Sequence, residues 1–278
     1  MKTIINSDIF GGGGTQSLTN QIKACRKRGF TLSEVLITLA IIGIVAALTL
    51  TTVVPEIQLR QNIAKWKECY SILNNAFNMV LAENPNLKVS QAGYNAMTRE
   101  FINLLLEKLN VVETCGGLPV YDSEPYDKNS CDCWNPHPKF SWAGIHFGAS
   151  ASVYKTLAGG SINAYDYANR AALLNNGAAI YFGSAGSGLM ILVDVNNFNG
   201  GPNVLGKDVF AITFMKVSNQ KSVYIEDLKF APFGAAGTYG ASDPQYGSSG
   251  CSPSVGEKDA LYVFKASGAG CSYKYLMK

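Results

Sequence analysis

Hydrophobic and polar positions fall into three regimes along the chain. From Val35 to Val54 the run VLITLAIIGIVAALTLTTVV carries no charge over twenty residues, about 30 Å of helix and enough to cross a hydrocarbon core. After Pro55 the pattern becomes amphipathic. Leu59, Ile63, Trp66, Tyr70, Leu73, Phe77 and Val80 recur at spacings of four and three, with Arg60, Gln61, Lys65, Lys67, Glu68 and Asn75 largely elsewhere. This predicts a helix with one stripe buried against a core, stopped by Asn84-Pro85.

The third regime begins with TREFINLLLEKLN (98–110), a short helix with Phe101, Leu104, Leu105 and Leu109 on one side. A loop-rich stretch follows from Val111 to Gly148. DYANRAALLNNG (166–177) reads as another short helix, capped at Gly177. Strand patterns then take over: AAIYFG (178–183), LMILVDVN (189–196), DVFAITFMKV (208–217), SVYIEDL (222–228) and ALYVFKAS (260–267). Their β-branched and aromatic content, punctuated by Gly, Asn and Ser, predicts an antiparallel sheet. The expected fold is α+β, a long N-terminal helix packed on that sheet.

Charge changes the picture at the N-terminus only. Residues 1–29 hold Lys2, Lys23, Arg26, Lys27 and Arg28 against a single acid, Asp8. This bias places the N-terminus in the cytoplasm and the bulk of the chain outside. Nothing comparably basic follows, so no nucleic-acid partner is expected. A secretory signal peptide would have a shorter apolar region and a small-x-small cleavage site. Seven cysteines occur, one of them, Cys25, in the basic leader. The other six suit a compartment where disulfides persist. Cys251 and Cys271 flank ALYVFKAS and form the first candidate pair; Cys115 with Cys131 or Cys133 is the second.

One acid interrupts this economy. Glu34 stands at the rim of the apolar run, where a carboxylate is costly and tends to be functional. The stretch KRGFTLSEVLITLAIIGIVAAL around it resembles the N-terminal signature of type IV pilins and type II secretion pseudopilins. The resemblance covers roughly residues 26–55 and implies a pilin-like fold. It also implies a leader (1–29), a transmembrane and assembly helix (30–54), an amphipathic continuation (55–84) and an extracytoplasmic head (85–278). Prepilin peptidase would cut between Gly29 and Phe30 and methylate the new amine of Phe30. Glu34 would pair with a neighbouring subunit's N-terminal amine. The implied partners are that peptidase and N-methyltransferase, other pilin or pseudopilin subunits, and the inner-membrane assembly machinery. The implied location is the inner membrane, single-pass, then a periplasmic or surface filament. The proline that the family often places at the position of Thr51 is here Pro55, one helical turn later. The length of the mature part favours a minor pilin or a pseudopilin.

A second constellation is VDVNNFNGGPNVLGKDVF (193–210), which resembles a loop of pilin-like proteins. Asp194, Asn196, Asn203 and Asp208 offer hard oxygens for Ca2+, or hold their own backbone in Asx turns. EF-hand spacing is absent. Cys115, Cys131, Cys133 and His137 have zinc-ligand chemistry, but the spacing is not a standard one and an oxidising compartment favours disulfides. Only two histidines exist, His137 and His146, and no Gly-x-Ser-x-Gly elbow is present. No enzyme is expected and no catalytic residue is nominated. The alternative to a filament subunit is a membrane-anchored extracellular binding or hydrolytic domain that never polymerises. It would need neither Gly29-Phe30 nor Glu34.

Overall fold

The computed structural model describes residues 29–89, 97–115, 154–162, 170–185, 188–197, 200–216, 224–235, 250–260 and 265–277. It divides into two units, Met1–Thr51 and Thr52–Lys278. In the first, helix α1 (Leu32–Glu83) begins. Leu36, Ile37, Leu39, Ile41, Ile42, Ile44 and Leu48 stand exposed along it. Its most apolar window has a mean hydropathy of 2.5 and is long enough to cross a membrane. An all-apolar surface of this kind is stable in lipid, where the helix satisfies its own backbone.

In the second unit the same helix carries a buried stripe. Trp66, Leu73, Phe77 and Val80 are buried, as the four-and-three spacing predicts; Leu59, Ile63 and Tyr70 of that stripe are partly buried, and Cys69 and Ala76 are buried as well. Helix α2 (Arg99–Glu107) is capped by Thr98, whose hydroxyl oxygen accepts the N–H of Phe101 and whose O–H donates to the carbonyl of Lys88. Phe101, Leu105 and Leu109 are buried, and Leu104 packs partly buried beside them.

Six strands form one antiparallel sheet in chain order: β1 (Val111–Cys115), β2 (Arg170–Leu174), β3 (Ala179–Ala185), β4 (Gly188–Asp194), β5 (Val209–Lys216) and β6 (Leu228–Pro232). The period-two alternation of strands splits their side chains between two cores. Ile180, Phe182, Ile191, Val193, Phe210, Ile212 and Phe214 face α1 and α2. Ala179, Tyr181, Met190, Leu192, Val209 and Ala211 join Tyr154, Leu205, Phe233 and the C-terminal residues on the other face. Both faces are covered, which is why these strands read as nearly continuous apolar runs. A last short helix, α3 (Cys271–Leu276), closes the chain.

Two expectations need correction. Residues 170–174, within the segment read as a helix, are strand β2. Asn175-Asn176-Gly177 is the turn into β3, with Asn176 Oδ1 accepting the N–H of Ala178 and Gly177 at φ 85°. Residues Ile225–Asp227 are a 3-10 turn, and the strand expected at 222–228 begins only at Leu228. Of ALYVFKAS, residues 261–264 lie outside those described, while Ala260 and Ala266 at its flanks make isolated bridges with Ile162 and Glu257. Strand β1 and helix α3 were not foreseen.

Candidate functional site

Among the described residues, two places carry chemistry. The first is the start of α1. Gly29 and Phe30 precede the helix in non-helical conformation, and Phe30 is 87% exposed. The N–H and O–H of Thr31 both donate to Glu34 Oε2, at 2.8 and 2.9 Å, while the Glu34 N–H donates to Thr31 Oγ1 at 3.2 Å. This is a reciprocal capping box, satisfying donors that the first turn leaves orphaned. Thr31 was missed in the sequence reading, although Thr-x-x-Glu ahead of an apolar run is the signal for such a box. The box seats the carboxylate within one turn of the Gly29-Phe30 bond.

The second place is the β4–β5 connection, which brings together all four oxygen-bearing residues singled out there. Asp194 ends β4 fully buried, and Asp208 directly precedes β5, also buried. Asp194 Oδ1 accepts the N–H of Asn196 at 3.3 Å. Asp208 accepts the N–H groups of Asn203 and Val204 at 2.8 and 2.7 Å. Asn196 Nδ2 donates to the carbonyl of Gly201 at 2.7 Å. Asn197 and Asn203 take φ of 61° and 57°, the left-handed conformation that asparagine tolerates.

From outside the loop, the Tyr154 hydroxyl donates to Asp194 Oδ2 at 3.0 Å and lies 2.9 Å from the Tyr181 hydroxyl. Since the Tyr154 proton goes to the carboxylate, Tyr181 is the donor within the tyrosine pair. Burial, reinforced by the negative charge of Asp208, pushes the Asp194 carboxyl up to about 7; the bonds from Tyr154 and Asn196 and the charge of Lys65 work against this. Burial raises Asp208 as well, and both phenols rise, chiefly through burial.

The donor set fits a hard divalent cation. Two buried carboxylates repel one another, and the buried Oδ1 of Asn196 accepts no hydrogen bond among the described residues. Ca2+ selects for clustered carboxylate, amide and carbonyl oxygens of this kind. Among the described residues no three His, Cys, Asp or Glu side chains converge. Cys131, Cys133 and His137, the other nominated metal or disulfide residues, lie outside those described, and Cys115 ends β1.

A disulfide backs the same loop. Cys251 and Cys271 are joined, their Cα atoms 4.4 Å apart, as their positions in the sequence led us to expect. Gly206, at φ 83°, passes so close that a β-carbon there would meet Cys271 Sγ at 2.6 Å. Cys69 is free and buried.

The described residues define an α+β protein with a long N-terminal helix, apolar and long enough in its first part to cross a membrane, and a six-stranded antiparallel sheet. Residues 25–50 match the family model of the prokaryotic N-terminal methylation motif, which supports the type IV pilin-like signature read at the N-terminus. The matched stretch contains Gly29, Phe30 and Glu34, and it implies processing by prepilin peptidase and assembly with pilin-type subunits. Comparison with curated proteins and with solved structures gave no match.

Proposed function

We propose that this chain is a minor structural subunit of a type II secretion or type IV pilus-type filament. Prepilin peptidase cuts it between Gly29 and Phe30 on the cytoplasmic side and methylates the Phe30 amine. The helix spans the inner membrane once, with the head extracytoplasmic, before assembly machinery moves the subunit into the filament. The observation that carries this reading is the methylation motif placed directly on the capped start of an apolar helix, with Glu34 in its first turn.

Cleavage of the Gly29–Phe30 bond leaves a cationic amine on Phe30, the residue directly before the capping box. Glu34 of one subunit pairs with that amine on a neighbour. A carboxylate near lipid is costly alone and is stabilised by an opposite charge in a dry helix bundle, so the pair sets register between helices. The head has a structural or binding role rather than a catalytic one.

We further propose that Asp194, Asn196, Asn203 and Asp208 hold Ca2+ in the head. Bound Ca2+ supplies positive charge that offsets the two buried carboxylates. The residues of the chain do the rest, joining the end of β4 to the start of β5 through Asp194, Asn196 and Asp208, whose side chains already hydrogen-bond within the loop. The orphaned Asn196 oxygen and the mutual repulsion of the carboxylates support this assignment.

Cysteine cross-linking between neighbouring N-terminal helices in cells tests the assembly role. Glu34→Leu is expected to leave membrane insertion intact and to abolish the filament-dependent cross-links. Undiminished cross-links in that variant would leave a membrane-anchored head that does not rely on the pairing.

A further inference from the structure

Tyr154 lies forty residues before Asp194, on a segment (Tyr154–Ile162) that belongs to no named strand or helix. It is nevertheless tied to the β4–β5 loop at several points. Its hydroxyl donates to Asp194 Oδ2, and the Tyr181 hydroxyl on β3 donates to it from behind. The next residue, Lys155, pairs its backbone with the loop: its N–H donates to the Asn203 carbonyl at 2.8 Å, and its carbonyl accepts the Leu205 N–H at 2.9 Å. The segment also reaches the C-terminal region, where the Thr156 hydroxyl donates to the Lys258 carbonyl and the Leu157 N–H to that of Ser267.

We propose that Tyr154 is the positioning residue of the cation loop: the relay from Tyr181 through Tyr154 fixes the Asp194 carboxylate for Ca2+, and loading the loop tightens the Tyr154–Ile162 segment onto the sheet. The inference rests on the Ca2+ reading above. Its physical basis is that groups hydrogen-bonded to a ligand set the ligand's orientation, so their loss weakens metal binding without removing any donor to the metal. A phenol suits the task here. It is anchored at the ring by the edge-on contact with Tyr181, with centroids 6.0 Å apart, and it has one proton to give.

The test uses the processed full-length chain in detergent micelles, titrated with Ca2+ by calorimetry. The wild type is compared with Tyr154→Phe and Tyr181→Phe, each of which deletes one buried hydroxyl. Tyr154→Phe is expected to weaken Ca2+ binding about 10- to 100-fold. Tyr181→Phe, which leaves the Tyr154–Asp194 bond in place, should weaken it less. A role in stability alone would lower the melting temperature of both variants without separating their affinities.

Wild-type protein that binds no Ca2+ overturns the cation reading itself. Binding that is equally tight in wild type and Tyr154→Phe overturns only the role of Tyr154. Should Tyr154→Phe not fold, hydrogen exchange in the wild type decides the matter. Ca2+ is expected to slow exchange of the Lys155 and Leu205 amides, and unchanged rates alongside measurable binding refute the coupling.

Discussion

The indole N–H of Trp66, on α1, donates a 2.9 Å hydrogen bond to the backbone carbonyl of Ser272, on α3. The same indole stacks on Phe210 of β5, ring centroids 4.9 Å apart and planes 16° from parallel. The Ser272 hydroxyl in turn accepts the N–H of Ala211. One buried aromatic residue thus ties the helix, the sheet and the C-terminal end of the head together. Trp66→Ala is expected to destabilise the head by about 3–5 kcal/mol through lost burial and the cavity left behind. Trp66→Phe retains most of the packing but orphans the Ser272 carbonyl, at about 1–3 kcal/mol. Denaturant melts of the two variants check both the sizes and their order.

The Cys251–Cys271 disulfide closes a loop with a sequence separation of 20. A cross-link over that span restricts the unfolded chain by about 3 kcal/mol in the loop-entropy view. Cys251→Ser is expected to lower the stability of the oxidised protein by about that amount, and reductant should shift the melting of the wild type but not of the variant. Equal sensitivity to reductant in both would contradict the pairing.

Gly206 is held at φ 83° with the disulfide sulfur against it. A side chain there meets both a strained backbone and a rigid neighbour. Gly206→Ala is expected to cost about 1–3 kcal/mol from the backbone alone, and more if Cys271 must shift. Gly29→Ala, which has nothing within 4 Å of the added carbon, should leave stability unchanged. Thermal melts of the two variants give the contrast.

Burial pushes the Cys69 thiol up to about 11 from 9.0, against the opposing bond from Asn176. The folded state therefore holds a proton that the unfolded chain gives up at lower pH. That contribution is fully present below pH 9 and is lost as pH rises through 11, amounting to roughly 3 kcal/mol by linkage. A denaturation series from pH 8 to 11 should show wild-type stability falling more steeply than that of Cys69→Ala. Native protein should also resist alkylation at pH 8, and rapid labelling without unfolding would contradict the burial.

Much of the head was legible in the sequence because periodicity and burial agreed. The four-and-three stripe from Ile63 to Val80 and the strands through Ile180, Ile191 and Ile212 are apolar where the fold needs them to be. Arg170–Leu174 misled because Ala and Leu favour helices, yet pairing with β1 and β3 overrides that weak preference. The 3-10 turn at Ile225–Asp227 carries Ile225 into the core within a strand-like composition, so alternation alone could not reveal it. At the site, the loop's own oxygens stood out through their Asp, Asn and Gly pattern. Tyr154 did not, since a tyrosine forty residues away acquires its role only when tertiary structure sets it against Asp194.

The most direct test of the central claim is the intact N-terminal mass of the protein isolated from cells with active prepilin peptidase. A chain that begins at Phe30 with a methylated amine is the expected result. A chain that still carries residues 1–29 would contradict the assignment to the pilin-type route.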